Sequence, residues 1–358
     1  TEFNQLSDEN RAKQIDLTKV QALFFPLMIL LIGISNLIVI YIGGIQYMNG
    51  EIEKIGTIAE FIIYVNMLTW PVATVGWVTS LVQQAEASQE RINEFLNTEP
   101  DIKNKVNKLT PIKGDIEFRN VSFVYPDTNI EALKNVSFKI KSGETLAILG
   151  KTGSGKSTIL DLIGRLYDIN NGQLLIDDKK ISDLNLNSLR ESIGYVPQDA
   201  FLFSDTIDNN IKFGKEDATD EEVIEAAKNA RVHKNIIGFK KGYETILGER
   251  GITLSGGQKQ RVSIARAIVK KPDILLFDDC LSAVDTETEE KILKNLVNLT
   301  KDKTTIIVSH RVSSAKNADK IIVLEDGKVT QTGSHVSLIN TKGYYKDLYT
   351  KQLSEKEN

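Results

Sequence analysis

Eight consecutive residues, Gly150 to Ser157, have the composition of a loop that can hold phosphate groups. They fit the pattern G-x-x-x-x-G-K-S, follow the apolar run TLAIL and precede the run STILDLIGRL, which should form a strand and a helix. Glycines let backbone N–H groups surround phosphate oxygens at the positive end of such a helix. Lys156 would reach the β- and γ-phosphates of a nucleotide, and Ser157 would hold Mg²⁺. The residues we expect to contact the nucleotide here are Gly150, Lys151, Thr152, Gly153, Ser154, Gly155, Lys156, Ser157 and Thr158.

Two carboxylates follow a second apolar run, residues 274–277, which should be a buried strand. A strand of a doubly wound sheet delivers such groups to the edge where ligands bind. Asp278 therefore fits a role in holding Mg²⁺, together with Ser157 or through a water molecule. An apolar run that ends in Asp is common. We interpret Asp278 as a metal ligand because the phosphate-binding loop lies upstream in the same chain.

A third motif, Leu254-Ser255-Gly256-Gly257-Gln258, directly precedes the helical segment KQRVSIARAIV. Ser255 can cap this helix, and the two glycines expose backbone N–H groups at its positive end. The motif is therefore a second anion site in the same part of the chain. One nucleotide does not need two helix N-termini on opposite sides of one domain, whereas a nucleotide shared by two subunits does. A dimer in which Ser255, Gly256, Gly257 and Gln258 contact a shared nucleotide is one explanation of this motif.

All three motifs lie in residues 114–355, where short apolar strands alternate with amphipathic helical stretches. This alternation is typical of an α/β domain with a largely parallel sheet. The clearest strands are Thr145–Leu149, Ile274–Phe277 and Thr304–Val308, and residues 115–125 resemble antiparallel strand material. Asp326-Gly327 between two apolar runs predicts a hairpin turn.

A long N-terminal stretch differs from the rest of the chain in its composition, because it contains very few charged residues. Of the 44 basic and 48 acidic residues, only Glu51, Glu53, Lys54 and Glu60 fall between Val20 and Ala85. Residues 20–50 and 61–85 carry no charge, and a spanning helix needs roughly 20 apolar residues. Two buried helices of a soluble core are the alternative, but core helices rarely lack charge over such a length. The sequence predicts membrane spans at about residues 20–43 and 58–85.

The distribution of basic residues predicts the orientation of this pair. Arg and Lys side chains flank the outer ends of both apolar runs. The connection between the runs contains a single basic residue, Lys54. Both ends should therefore lie in the cytoplasm. After Ala85 a polar helical pattern continues the second span as a cytoplasmic extension. We assign residues 1–96 to a transmembrane domain, residues 97–113 to a linker because they are polar and contain two prolines, and residues 114–355 to a nucleotide-binding domain.

Composition excludes several other classes of protein. The net charge of −4 provides no basic surface for nucleic acid. The single cysteine, Cys280, excludes an internal disulfide framework and a cysteine-rich metal site. The first residue is Thr1, so we expect the chain to be a fragment of a longer protein.

Taken together, the motifs resemble the nucleotide-binding domain of an ATP-binding cassette (ABC) exporter. The phosphate-binding loop, LSGGQ and Phe277-Asp278-Asp279 occur in the order of that family, and Gly248-Glu249-Arg250-Gly251 is similar to a motif of its exporters. The resemblance implies a P-loop NTPase fold with an antiparallel β subdomain and a helical subdomain, preceded by the last two of six transmembrane helices of a half-transporter.

The resemblance also implies roles for residues outside these motifs. Tyr125 stands where the family stacks an aromatic ring on adenine, and Gln198 where a loop senses Mg²⁺ and touches the membrane domain. His310 matches the residue that contacts the γ-phosphate. Residues 282–285, Ser-Ala-Val-Asp, look like the loop that contacts the opposite subunit. We therefore expect Asp279, His310 and Gln198 to take part in catalysis and Ser157, Gln198 and Asp278 to hold the metal.

One position departs from the family. Efficient members carry Glu, the general base for the attacking water, where this chain has Asp279. Asp withdraws the carboxylate by roughly 1–1.5 Å, which should slow proton transfer. Either this chain is the weaker half of a heterodimer, with its intact LSGGQ completing the partner's site, or Asp279 is a slower base in a homodimer. We favour the first interpretation.

The resemblance implies an ATPase that exports a small molecule, lipid or peptide across the cytoplasmic membrane of a bacterium. Its cofactors would be ATP and Mg²⁺, and its partners a second half-transporter chain, membrane lipid and the transported substrate, but no nucleic acid. Two other functions remain open. One is a soluble ABC-type ATPase that acts on DNA, and the other is a nucleotide-binding regulatory subunit with little turnover, which Asp279 makes conceivable.

Overall fold

The computed structural model describes residues 2–251, 253–280, 292, 295 and 302–357. The chain divides into two compact units, Thr1–Glu99 and Pro100–Asn358. The first contains two long helices, α1 (Glu2–Met48) and α2 (Gly56–Asn97). By length and composition both could cross a membrane. The predicted spans lie inside these helices. Helix α2 passes through Pro71 without interruption and continues to Asn97.

The second unit contains two β-sheets among its described residues. The smaller sheet is antiparallel, with the strand order β2-β1-β4-β5. Its strands are β1 (Ile116–Val124), β2 (Glu131–Ile140), β4 (Asn171–Ile176) and β5 (Lys179–Lys180). Strand β1 pairs with β2 on one side and with β4 on the other, so the predicted antiparallel strand near residues 115–125 is confirmed.

The larger sheet has the strand order β10-β9-β3-β8-β7-β6, and only its edge strand β10 runs antiparallel to its neighbour. Its strands are β3 (Thr145–Leu149), β6 (Ile193–Val196), β7 (Ile274–Asp278), β8 (Thr304–Ser309), β9 (Lys320–Glu325) and β10 (Lys328–Gly333). Every residue of β7 and β8 is buried, which fits parallel strands covered on both faces. The predicted Asp326-Gly327 hairpin joins β9 to β10.

Helices cover the large sheet and form a helical layer of their own. They are α3 (Lys156–Ile163), α4 (Leu186–Glu191), α5 (Ile207–Lys212), α6 (Asp220–Asn229), α7 (His233–Ile237), α8 (Gly256–Val269), α9 (Val312–Ala315), α10 (His335–Asn340) and α11 (Tyr344–Glu357), with 3₁₀ turns at Ile181–Asp183, Gly242–Glu244 and Glu249–Gly251. One core lies around α3, a second among α5 to α8, and a third beneath α11. The predicted fold class, two long helices followed by an α/β domain with antiparallel and helical subdomains, is confirmed.

Most of the segment predicted to be a linker belongs to the second unit, and part of it is hydrogen-bonded to the start of α4. The Asn104 side-chain oxygen accepts a hydrogen bond from the Leu186 backbone N–H at 3.1 Å, and the Thr110 N–H donates to Ser188 Oγ at 3.2 Å. The Asn185 side chain donates to the carbonyl of Val106. Residues 104–110 therefore lie along the start of α4. The side chains of Asn185 and Ser188 satisfy backbone groups of this segment, and Asn104 satisfies one at the start of the helix.

Candidate nucleotide-binding site

The phosphate-binding loop connects β3 to α3, as the sequence predicts. Gly150 and Gly155 have φ angles of 155° and 97°. A Cβ atom would overlap the carbonyl oxygen of Leu324 at Gly150 and that of Ala132 at Gly155. These two positions therefore require glycine both for backbone conformation and for space.

Lys156 is the first residue of α3 and its side chain crosses the loop. The ammonium donates to the carbonyl oxygens of Gly150 at 2.9 Å and Lys151 at 2.7 Å. Burial lowers the pKa of Lys156, because the charged form is partly removed from water. The buried Ser154 Oγ has no hydrogen-bond partner among the described residues. A cation and an unpartnered hydroxyl inside a turn at a helix N-terminus fit a bound phosphate group.

Ser157 and Asp278 meet at the end of the large sheet. Ser157 Oγ donates to Asp278 Oδ1 at 2.9 Å, and the Tyr195 hydroxyl lies 3.4 Å from Asp278 Oδ2. Burial raises the pKa of the Asp278 carboxyl. A hydroxyl and a carboxylate are oxygen ligands of the kind that Mg²⁺ prefers, so these residues fit that ion.

Asp279 and His310 follow the neighbouring parallel strands β7 and β8. The Asp279 N–H donates to the carbonyl of Val308 at 2.9 Å, and its φ of 42° turns the chain sharply after the strand. His310 Nε2 lies 3.5 Å from Asp279 Oδ2. Asp279 is 7% exposed, and burial raises the pKa of its carboxyl. A buried carboxylate beside an imidazole is suited to accept a proton.

These groups line one cavity of about 500 Å³. The predicted site residues on its wall are Tyr125, Thr152, Gly153, Gly155, Lys156, Ser157, Thr158, Gln198, Asp278, Asp279 and His310. The Tyr125 hydroxyl is 2.9 Å from Thr158 Oγ1, and its ring packs edge-on against Phe123 and Tyr167. The carbonyl of Gln198 accepts a hydrogen bond from the Gln260 side chain on α8. The fold thus brings residues from across the sequence together around one cavity.

The LSGGQ motif is not part of this wall. Ser255 caps α8: its hydroxyl accepts from the Gln258 N–H at 3.3 Å, and the Gln258 side-chain oxygen accepts from the Ser255 N–H at 3.0 Å. The first N–H groups of a helix lack intrahelical partners, so those of Gly256 and Gly257 are available to an anion. Ser255 and Gly256 are exposed. The predicted subunit contact at residues 282–285 lies outside the described residues.

Sequence reasoning missed Asp161, whose carboxyl interacts with the site. It lies on α3 one turn after Ser157, the only charged residue of the run STILDLIG. Burial, with a further contribution from the charge of Asp278, raises the pKa of Asp161 to about 6. A lone charge in an apolar helical run was the signal that could have identified it.

The raised pKa of Asp161 predicts that Asp161→Asn stabilises the fold at neutral pH. The folded protein binds this proton more tightly than the unfolded chain, where the pKa of the carboxyl is 3.8. Ionisation of Asp161 therefore destabilises the folded state. This destabilisation grows as the pH rises from 3.8 to about 6 and is complete above about pH 6. The gain in melting temperature should therefore be larger at about pH 7.5 than at about pH 4.5. Asp127→Asn, at an exposed turn, is the control. An equal gain at both pH values would contradict the assignment.

Residues 133–282 match the ABC transporter family. Over 355 residues the chain is 43% identical to the uncharacterized ABC transporter ATP-binding protein YknU of Bacillus subtilis (strain 168). It is 40% identical over 353 residues to the probable multidrug resistance ABC transporter ATP-binding/permease protein YheI of the same organism. Over 338 residues it is 40% identical to the ATP-dependent lipid A-core flippase of Syntrophus aciditrophicus (strain SB).

These alignments cover 99%, 98% and 94% of this chain but 60%, 60% and 56% of the relatives. The chain therefore spans about 60% of the length of the relatives that it matches, and corresponds to their C-terminal part. Among solved structures, a bacterial Atm1-family ABC exporter with ATP bound matches with a TM-score of 0.77 and 38% identity. That match covers 84% of this chain and 52% of the exporter chain.

Proposed function

Because this chain belongs to the ABC transporter family, we propose that it is the C-terminal part of an ABC exporter half-transporter. It would couple ATP hydrolysis to the export of a small-molecule, lipid or peptide substrate. The observation that carries this proposal is the convergence of Lys156, Ser157, Asp278, Asp279 and His310 on one cavity. Relatives named as a multidrug resistance permease and as a lipid flippase support export. They do not favour a soluble ATPase that acts on DNA.

We propose that residues 1–96 are the C-terminal part of the transmembrane domain, with spans near 20–43 and 58–85. Both ends of this pair would lie in the cytoplasm, where residues 114–355 form the nucleotide-binding domain. The length and hydropathy of the two helices support the spans, and the basic residues at their outer ends support the orientation. The transported substrate would bind mostly to helices that precede this segment in the relatives.

In the proposed reaction, Lys156 leaves the carbonyls of Gly150 and Lys151 and binds the β- and γ-phosphates. Tyr125 contacts the adenine at the other end of the cavity. Asp279 accepts a proton from the attacking water, and His310 holds the γ-phosphate in line with it. Ser157 and Asp278, with Gln198, would hold Mg²⁺, which when bound neutralises phosphate charge.

The second anion site belongs, in this proposal, to the nucleotide of another subunit. The exposed N-terminus of α8 does not line the cavity of its own chain, although its N–H groups are suited to phosphate. Two chains that face each other would place LSGGQ of each over the phosphate-binding loop of the other. The partner would be a second half-transporter chain, identical to this one or different from it.

Mixed dimers test this arrangement. Gly256→Asp places a carboxylate at the second anion site, and a Cβ there meets no atom within 4 Å, so the fold should tolerate it. We expect Gly256→Asp and Lys156→Ala each to inactivate a homodimer, because each alters both shared sites. A mixed dimer, isolated with two different tags, combines both defects in one site and leaves the other intact. Its hydrolysis of ATP should therefore recover.

Gly256→Ala, which adds no charge, is the matched control and should stay active. An inactive mixed dimer would argue against sites shared between subunits. If differently tagged copies do not co-purify, the chain does not pair with itself. The same Gly256→Asp change should then inactivate the complex with its different partner.

A further inference from the structure

The C-terminal helix α11 contacts the backbone beside His310. The Gln352 side-chain Nε2 donates to the carbonyl of His310 at 2.9 Å, and its Oε1 accepts from the Val312 N–H at 2.9 Å. The carboxamide thus pairs with the donor and the acceptor of two residues, as a neighbouring β-strand would. This contact joins residues that are 40 and 42 positions apart in the sequence.

The position of Gln352 follows from how α11 packs. Tyr345 is fully buried in the third core, and Leu348 and Tyr349 pack against the same core. With Gln352 they occupy the i, i+3, i+4 and i+7 positions that share one face of a helix. Val312, which follows the His310 turn, is buried in this core as well. Gln352 is the polar residue on this face because it contacts backbone groups, whereas the other three residues pack in the apolar core.

Backbone groups at the end of β8 need such partners. Strand β8 ends at Ser309 and α9 begins at Val312, so the residues between them lie outside regular pairing. On one side, Ser309 Oγ accepts from the Arg311 N–H at 3.0 Å. Gln352 bonds to the residues on both sides of Arg311. The imidazole of His310 projects from this turn to within 3.5 Å of Asp279.

We propose that Gln352 is a positioning residue for His310. Its carboxamide holds the backbone of residues 310–312 in the conformation that directs the imidazole into the nucleotide cavity, and so links the C-terminal helix to ATP hydrolysis. The inference rests on the proposed function, since it assigns Gln352 a task in that reaction. It adds a residue that touches neither nucleotide nor metal.

The test compares substitutions that remove different parts of the contact. Gln352→Leu removes the donor and the acceptor at similar size, and Gln352→Glu keeps the acceptor but turns a carboxylate oxygen toward the His310 carbonyl. In the full-length complex isolated by way of this chain, both should lower kcat for ATP about three- to fivefold and leave KM nearly unchanged. The melting temperature should fall by only about a few degrees, because two backbone groups lose their partner, and the protein should stay folded at the assay temperature. Thr350→Val is the matched control, since its exposed hydroxyl donates to the carbonyl of Lys346 within α11. It should keep full activity.

A double-mutant cycle shows whether Gln352 acts through His310. In a His310→Ala background, Gln352→Leu should cause no further loss, because the side chain it positions is gone. Additive losses, or a fall in melting temperature that accounts for the lower rate, would overturn the proposal. If His310→Ala and Lys156→Ala each lower hydrolysis strongly while Gln352→Leu changes nothing, the positioning role is wrong and the proposed function stands. If none of the three lowers hydrolysis, the proposed function itself fails.

Discussion

Replacing Lys156 by alanine is expected to lower the affinity for MgATP by about 100-fold or more, and ATP hydrolysis should fall to background. Lys156 is 6% exposed, and its ammonium lies inside the loop, where it bonds to two carbonyl oxygens. When phosphate enters, this buried cation is the charge closest to the anionic oxygens. Loss of one partner of a buried charge pair typically weakens binding by about 3 kcal/mol, which corresponds to about 100-fold. Equilibrium binding of a fluorescent ATP analogue measures the effect.

Lys151→Ala is the matched control, since it removes the same charge from the same loop. The Lys151 side chain is exposed, and we expect this residue to contact phosphate through its backbone N–H, which alanine keeps, so the substitution should change affinity little. Because Lys156→Ala also removes the donor for two loop carbonyls, its melting temperature without nucleotide must be compared with that of the unaltered protein. A folded Lys156→Ala protein that retains ATP affinity would contradict the assignment of the phosphate-binding loop.

The central strands were predictable because parallel strands buried on both faces form continuous apolar runs. Predicted strands 145–149, 274–277 and 304–308 agree with β3, β7 and β8 to within one residue. The extra residues, Asp278 and Ser309, are polar but still pair with neighbouring strands. Residues 97–113 read as a linker because they are polar and contain prolines. Their bonds to residues 185–188 connect positions about eighty apart, and local sequence patterns carry no such information.

The candidate site was predictable where a motif prescribes local structure. The phosphate-binding loop needs a strand before it and a helix after it, and both are readable from the sequence. Gln352 was not predictable in this way. On α11 it is one polar residue among many. Its role depends on hydrogen bonds to the backbone of His310 and Val312, which are distant in the sequence. The partners of Asp278 beyond Ser157 were hidden for the same reason, because Tyr195 approaches from a neighbouring strand.

Asp279 leaves three interpretations of turnover, namely a slow base in a homodimer, a degenerate site in a heterodimer, and a regulatory subunit with little hydrolysis. The carboxylate is buried and lies 3.5 Å from the His310 imidazole, which is suitable for a base. Its left-handed φ of 42° is better tolerated by Asp than by most residues. Basal hydrolysis by this chain alone and with candidate partner chains distinguishes a regulatory subunit from the other two.

Asp279→Glu is expected to raise the ATPase rate of the full-length homodimer at least severalfold, because the added methylene extends the carboxylate by roughly 1–1.5 Å toward the attacking water. Proton transfer needs hydrogen-bond reach, and general-base catalysis contributes about 100-fold or more, so a partial gain in reach should be measurable as kcat. Asp279→Asn, which keeps the size and removes the base, is the matched control. Loss of hydrolysis in Asp279→Asn would identify Asp279 as a working, slower base, whereas an unchanged low rate would identify a site that hydrolyses little in either form. If Asp279→Glu leaves the rate unchanged, the shorter carboxylate does not limit turnover and the degenerate-site interpretation is wrong.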